Sequence, residues 1–147
     1  MEFHRKLNCF TKYLNDYFYF VNNTIKSNSL LGGYHITDFE PLTFEDIVFN
    51  VPFDCYMSAV IKPNGIENQF ILQLLHNEYS IMRSDYQLEN EVKTAFSSAL
   101  QEVKSLMTGD NVKVSYTDLE FKVYRDNFSQ NGKVRTISTM EYLVTFE

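Results

Sequence analysis

A short segment near the C-terminus carries the residues of this chain that are best arranged for catalysis. In the run Asp118-Leu119-Glu120-Phe121-Lys122, two carboxylates and an amine recur at every second position. Alternate side chains of a β-strand project from the same face, so a strand here would hold the three groups together. Metal-dependent nucleases use such a set to hold Mg²⁺ beside the phosphate that they cleave. One hypothesis for this chain is therefore a metal-dependent nuclease.

The position of the segment weakens the nuclease hypothesis. Nucleases of this kind have the order helix, three strands, helix, strand, which resembles the order predicted below. Their Glu-x-Lys motif, however, lies on the third strand and follows an acidic residue on the second. In this chain, residues 66–76 contain a single acidic residue, Glu67, and no Lys. Because fold analogy without the site is a weak argument, the nuclease is the least favoured of three hypotheses.

The other residues that bind metals or act as nucleophiles are scattered. No two histidines are four residues apart, as on a helical zinc site, and the two cysteines have neither zinc nor redox spacing. The four acidic residues between positions 38 and 46 lack the alternating Asp or Asn and the Gly of a calcium loop. We therefore expect no metal, no cofactor and no enzymatic activity. These residues are His4, His35, His76, Cys9, Cys55, Asp38, Glu40, Glu45 and Asp46.

Two segments have the apolar spacing of amphipathic helices. Apolar residues recur every three or four positions, beginning at Phe3 in the first segment and at Leu88 in the second. One turn of an α-helix has the same period, so each stripe would face a core. The spacing predicts helices over about residues 2–26 and 86–107.

The second helix also has signals at both of its ends. Ser84 or Asp85 can cap its N-terminus, and Gln87 stands in the capping-box position relative to Ser84. Gly109 occupies the place where a glycine commonly ends a helix. These residues predict a well-defined start and end for the helix.

The segment between the helices reads as a block of strands over about residues 34–77. Pro63-Asn64-Gly65 is a hairpin signal, and a two-residue Asn-Gly loop fixes which residues face each other. A type I turn with a bulge would move this register by one residue. The predicted pairs are Ala59 with Phe70, Met57 with Leu72, and Cys55 with Leu74.

The C-terminal segment, residues 111–147, reads as one long hairpin around Asn131-Gly132. A two-residue type I′ turn at that dipeptide would place apolar residues of both strands on one face. On the reverse face, Lys122 would lie opposite Glu141. The predicted apolar pairs are Leu119 with Val144, Phe121 with Tyr142, and Val123 with Met140.

The end of this hairpin is polar. Residues 125–136 would extend as an arm by about 20 Å beyond the core, and two-stranded ribbons of this kind are marginal without support. The arm mixes cations with an aromatic ring, but Asp126 offsets its charge, and three cations are too few for strong binding of a phosphate backbone. We expect the arm to lie either on another part of its own domain or on another chain. Its predicted partner-binding residues are Arg125, Asp126, Asn127, Phe128, Lys133 and Arg135.

The element order predicts one α+β domain over residues 1–147. We expect a mainly antiparallel sheet with two long amphipathic helices packed on one face and a long C-terminal hairpin. The net charge of -6 argues against a protein that binds nucleic acid with its whole surface. We find no apolar run of the length of a signal peptide or a membrane span. We therefore expect no membrane partner.

This architecture resembles the tail terminator and head-tail joining proteins of tailed bacteriophages. The resemblance lies in a long N-terminal helix, a strand block around Pro63-Asn64-Gly65, a capped helix over 85–107, and a hairpin ending in the segment 141–147. It implies a ring, commonly hexameric, that closes the tail tube and encloses the DNA channel. Its partners would be copies of itself and other neck or tail proteins, with DNA only as passing cargo. The protein would assemble in the host cytoplasm and remain in the virion.

The leading hypothesis is therefore a non-enzymatic structural subunit of a phage particle. A second hypothesis is a small intracellular adaptor or inhibitor that uses the arm to bind one protein. The second hypothesis predicts a small stoichiometric complex, whereas the first predicts a ring.

Overall fold

A computed structural model describes residues 2–25, 36–37, 57–81, 83–130 and 132–147. The sheet has the order β1-β2-β3-β5-β4. β1 pairs in parallel with β2, and the other neighbours pair antiparallel. This arrangement confirms the α+β class with a mainly antiparallel sheet. The elements are α1 (Phe3–Ile25), β1 (Ile36–Thr37), β2 (Met57–Pro63), β3 (Gln69–Ile81), α2 (Asp85–Gly109), β4 (Val114–Gln130) and β5 (Lys133–Phe146).

The N-terminus of α2 agrees with the sequence prediction, and its C-terminus does not. Ser84 is the N-cap, and its Oγ accepts a hydrogen bond of 3.3 Å from the Gln87 amide. At the C-terminus, the left-handed residue is Asn111, with φ of 63°, and not Gly109, which is the last residue of the helix. Asn tolerates this conformation better than most residues. The left-handed residue that ends the helix is therefore two residues later than the position predicted from Gly109.

The register of β2 against β3 differs from the prediction by four residues. Ala59 pairs with Leu74 and Met57 with His76, because the loop between the strands spans residues 64–68 and is longer than a two-residue turn. Gly65 and Asn68 both have positive φ in this loop. Because a shift by an even number keeps each side chain on its face, the predicted apolar face is preserved. Cys55 lies outside the described residues.

The turn of the C-terminal hairpin is as predicted, but its strands are not in the predicted register. Gln130 pairs with Lys133 across the two-residue turn, where Gly132 has φ of 74°. The register then shifts between Arg125 and Ser129, so that three residues of β4 stand opposite one residue of β5. A β-bulge adds residues to one strand of a pair in this way.

A second shift, between Asp118 and Glu120, changes the face on which the residues of β4 lie. Leu119 is the extra residue, and an odd shift moves the following side chains to the other face. The predicted partner of Leu119, Val144, pairs with Tyr116, and Leu119 is 48% exposed. The other predicted pairs are also wrong: Phe121 pairs with Met140, Val123 with Ser138, and Lys122 with Thr139.

The polar end of the hairpin is not a two-stranded ribbon. β3 pairs with β5 along its whole length, from Gln69 opposite Thr145 to Ile81 opposite Lys133. The sheet therefore has three strands as far as the turn, and residues 133–136 belong to its interior strand. Of the two supports that the sequence leaves open for the arm, its own domain is the one observed, since β3 continues to Ile81 beside β5.

Residues of α1, α2 and the sheet form one main core cluster. Phe10 of α1 lies at its centre: the ring centroid is 5.3 Å from that of Phe70 and 6.0 Å from that of Phe146. A smaller cluster consists of Val60, Leu75 and Ile137, with Tyr124 packed against it. Because adjacent residues of a strand project to opposite faces, Leu74 in the main cluster and Leu75 in the smaller one lie on the two faces of the sheet.

Candidate interaction site

β4 is the outermost strand on one side of the sheet, and it is long. It has 17 residues and follows β5 in the strand order, with no further strand beside it in the described part of the chain. The outer backbone groups of such a strand can pair with a strand of another chain. Proteins that do not use an edge in this way commonly protect it with charges and bulges.

The middle of β4 combines a protected edge with an exposed apolar side chain. Asp118, Glu120 and Lys122 are exposed around Leu119, and the Nζ atom of Lys122 lies 3.6 Å from Oε2 of Glu120. Leu119 is 48% exposed and occupies the bulge. The same region therefore carries charges that resist indiscriminate strand pairing and one apolar group that a partner can bury.

The bulge also separates the residues of the nuclease hypothesis. With the register shift between Asp118 and Glu120, the two carboxylates no longer occupy alternate positions of a regular strand. The side chain of Lys122 forms an ion pair with that of Glu120. Among the residues that the structure describes, no group of three or more His, Cys, Asp or Glu side chains could hold a metal ion.

Arg125 ties the end of the hairpin to the start of α2. Its Nη2 atom donates to Oδ1 of Asp85 at 2.6 Å and to the carbonyl oxygen of Arg83 at 2.9 Å. The Arg125 side chain is 26% exposed. Hydrogen bonds of this length between charged groups are among the stronger ones in proteins. Arg125, a predicted partner-binding residue, is therefore largely engaged within its own chain.

Arg83 is the centre of a charged cluster that the sequence analysis missed. Its guanidinium group donates to both carboxylate oxygens of Glu78, at 2.7 and 3.3 Å, and to Glu91. These hydrogen bonds, first of all those to Glu78, raise the pKa of Arg83 above its ordinary value. The cluster borders a small cavity of about 140 Å³ beside His76 and Ala95. The only sequence signal was an Arg next to the capping residue Ser84, flanked by two acidic residues.

The remaining predicted partner-binding residues fall into three groups. Arg135 is 5% exposed, and its Nε atom donates to Oδ1 of Asn77 at 3.2 Å. Lys133 is exposed beside the turn. Asp126, Asn127 and Phe128 lie in the backbone of β4, and their side chains are outside the described part of the structure. The structure therefore leaves Lys133 accessible and places Arg135 in the interior.

A groove of about 410 Å³ lies between the two helices. It is lined by Tyr13, Asp16 and Tyr17 of α1 and by Glu102 and Leu106 of α2. The hydroxyl group of Tyr13 donates to Asp110 at 2.5 Å, and this hydrogen bond raises the pKa of Tyr13. Burial and the nearby Glu102 raise the pKa of Tyr17. The groove is thus both aromatic and acidic.

A second cavity, of about 400 Å³, is mainly apolar. It lies between the first turns of α1 and the loop that joins β2 to β3, where Ile66 is 58% exposed. An open apolar cavity beside an exposed apolar side chain is a common feature of protein-binding surfaces. The lining residues are Phe3, His4, Leu7, Ile61, Asn64, Gly65, Ile66, Glu67, Gln69 and Phe70.

Comparison with known proteins assigns no function to these surfaces. No protein-family model matches the chain, and no curated protein matches its sequence. In the described parts of the chain, neither helix is long and apolar enough to cross a membrane. The features that could carry a function are therefore the edge strand, the groove and the cavity.

Proposed function

We propose that this protein is a non-enzymatic structural subunit that associates with copies of itself through the outer strand β4. The observation that carries the proposal is Leu119, a side chain 48% exposed in the bulge of an edge strand of 17 residues. Full burial of a Leu side chain contributes about 1.5–3 kcal/mol, and the exposed part of Leu119 would contribute roughly half of that. The neighbouring charges of Glu120 and Lys122 would favour a partner that places opposite charges against them.

The proposed assembly is a ring of the kind formed by tail terminator and head-tail joining proteins of tailed phages, commonly a hexamer. The α+β fold with a long C-terminal hairpin supports this assignment. A net charge of -6 suits a channel that lets DNA pass without binding it. The ring would contact other neck or tail proteins and would belong to the virion after assembly in the host cytoplasm.

We also infer that both helices cover the same face of the sheet. Phe10 of α1 contacts Phe70 and Phe146 of the sheet, and the hydroxyl group of Tyr116 donates to the carbonyl oxygen of Leu100 in α2 at 2.9 Å. All of these residues belong to the main core cluster or pack against it. In this arrangement the helices cover the core without blocking the outer edge of β4.

The substitution Leu119→Asp tests the proposal. We expect the wild-type protein to form a discrete oligomer and the variant to be monomeric at the same concentration, as measured by light scattering after size-exclusion chromatography. Ile66→Asp is the matched control, because Ile66 is also exposed but lies in the loop between β2 and β3. The proposal is wrong if the wild-type protein is monomeric at every concentration, or if Leu119→Asp assembles like the wild type.

The second candidate function is an adaptor or inhibitor that binds one protein. The apolar cavity at Ile66 favours it, because this cavity is open to solvent beside a side chain that is 58% exposed. On this hypothesis the protein forms a one-to-one complex, Ile66→Asp weakens that complex, and Leu119→Asp does not. The same two variants therefore distinguish the two functions.

A further inference from the structure

The groove between α1 and α2 has the chemistry of a site for an ammonium group. The rings of Tyr13 and Tyr17 line it together with the carboxylates of Asp16 and Glu102. A cation within about 6 Å of a tyrosine ring is attracted by the π-electrons of that ring. Carboxylates add charge-assisted hydrogen bonds. An aromatic and acidic groove of this kind favours a lysine side chain over an apolar or acidic ligand.

A lysine of the chain itself already lies at the rim. The Nζ atom of Lys12 is 5.9 Å from the ring centroid of Tyr13 and 4.0 Å from Oδ2 of Asp16, but its side chain is 72% exposed. Glu102 is exposed, and no ion pair engages it among the described residues. With Asp16, Glu102, Asp110 and Lys12, the groove and its rim keep an excess of negative charge. One more cation would be electrostatically favourable.

The opposite end of the molecule presents such a cation. Lys133 is exposed beside the hairpin turn and pairs in the sheet with Ile81, four residues before α2 begins. In the described part of the chain it takes part in no ion pair. Glu102 lies 17 residues along α2 from Asp85, which corresponds to about 26 Å at the helical rise of 1.5 Å per residue.

We propose that Lys133 of one copy binds in the groove of the next copy, between Tyr17 and Glu102. This inference rests on the proposed function, since it names a second contact of the same self-assembly. In the proposed ring this contact repeats head-to-tail, whereas in a two-fold dimer the same two residues would meet twice, reciprocally. A head-to-tail contact closes into a ring when its rotation permits and otherwise forms a filament. The occupant of the groove is therefore the hairpin end of an identical chain.

Exchange of the two charges tests this contact in the full chain. Glu102→Lys and Lys133→Glu should each weaken self-association about tenfold or more, since close interfacial charge pairs are strongly coupled. The double variant restores the opposite charges and should recover most of the lost association. The measurement is sedimentation velocity over a range of concentrations, with thermal unfolding to verify that each variant is folded. Glu89→Lys reverses another charge of α2, whose side chain is 42% exposed and forms an ion pair with Lys93, and it should leave association within about twofold of the wild type.

The outcomes separate this contact from the proposed function. Weakening by both single variants and recovery in the double variant would support the contact. If both single variants assemble like the wild type while Leu119→Asp is monomeric, the groove contact is wrong and the structural function stands. If the double variant does not recover, Lys133 and Glu102 are not partners. If the wild-type protein is monomeric, both proposals fail.

Discussion

Arg83 is the residue on which most of the polar contacts at the hairpin end converge. Its side chain binds Glu78 and Glu91, and its carbonyl oxygen accepts from Arg125. The Glu78 side chain is only 16% exposed, so its carboxylate depends on protein partners more than a surface carboxylate does. The side-chain contacts of Arg83 should therefore contribute measurably to stability.

We expect Arg83→Met to lower the free energy of unfolding by about 1.5–3 kcal/mol, the usual contribution of hydrogen bonds to charged groups. The matched control is Lys122→Met, which removes an ion pair whose side chains are 51% and 56% exposed. Such exposed pairs contribute about 0–1 kcal/mol. Urea unfolding measures both variants. A loss for Arg83→Met of no more than about 1 kcal/mol, the upper value for an exposed pair, would contradict the prediction.

In strand β4, the bulge at Leu119 determines which side chains face the core. Val114 and Tyr116 on one side of the bulge, and Phe121 on the other, all contribute to the main core cluster or pack against it. In a regular strand, residues 116 and 121 would project to opposite faces. One extra residue is therefore what allows both halves of β4 to pack on the same core, and it leaves Leu119 on the surface.

Deletion of Leu119 should accordingly be tolerated by the fold. The deletion restores a regular ladder without moving Tyr116 or Phe121 from the core, so we expect a change in the free energy of unfolding of about 1 kcal/mol or less. The deleted protein should fold but fail to assemble. Deletion of Leu143 is the control, because it moves the buried Val144 and Phe146 of the unbulged strand β5 to the other face. Urea unfolding followed by circular dichroism measures both proteins. The prediction is wrong if both deletions lower the free energy of unfolding by the same amount.

The stability of the protein as a whole should fall at alkaline pH. Burial raises the pKa of Tyr116 above its ordinary value of 10.0, and burial together with Asp118 raises that of Tyr142. Above pH 10 the unfolded chain loses these protons first, so the folded state binds more protons and stability decreases as the pH rises. The net charge, already -6, also becomes more negative as tyrosines ionise.

The alkaline loss should be at most about 1.4 kcal/mol per pH unit for each of the two tyrosines. Tyr142→Phe removes one of these groups and should make the decline in melting temperature above pH 10 less steep. Tyr86→Phe is the control, because Tyr86 is 75% exposed, and it should follow the wild-type curve. Identical slopes for all three proteins would show that burial of Tyr142 does not couple its proton to folding.

Local signals in the sequence predicted the parts of the fold that depend on nearby residues. The apolar stripes predicted both helices to within two residues at their described ends. Ser84 predicted the cap of α2, and Asn131-Gly132 predicted the two-residue turn. The faces of β2 and β3 were also correct, because alternation determines which side chains share a face. Each of these features is decided by hydrophobic periodicity or by the backbone preferences of a few adjacent residues.

Tertiary structure decided the registers, the bulges and the surroundings of the candidate site. Arg135 is buried on the interior strand β5, where Asn77, 58 residues earlier, accepts its hydrogen bond. Leu119 is exposed because Val144 pairs with Tyr116. The sequence determined by itself that this chain has two amphipathic helices and a turn at Asn131-Gly132. It did not determine which arm residues are accessible, because that depends on the packing of segments far apart in the chain.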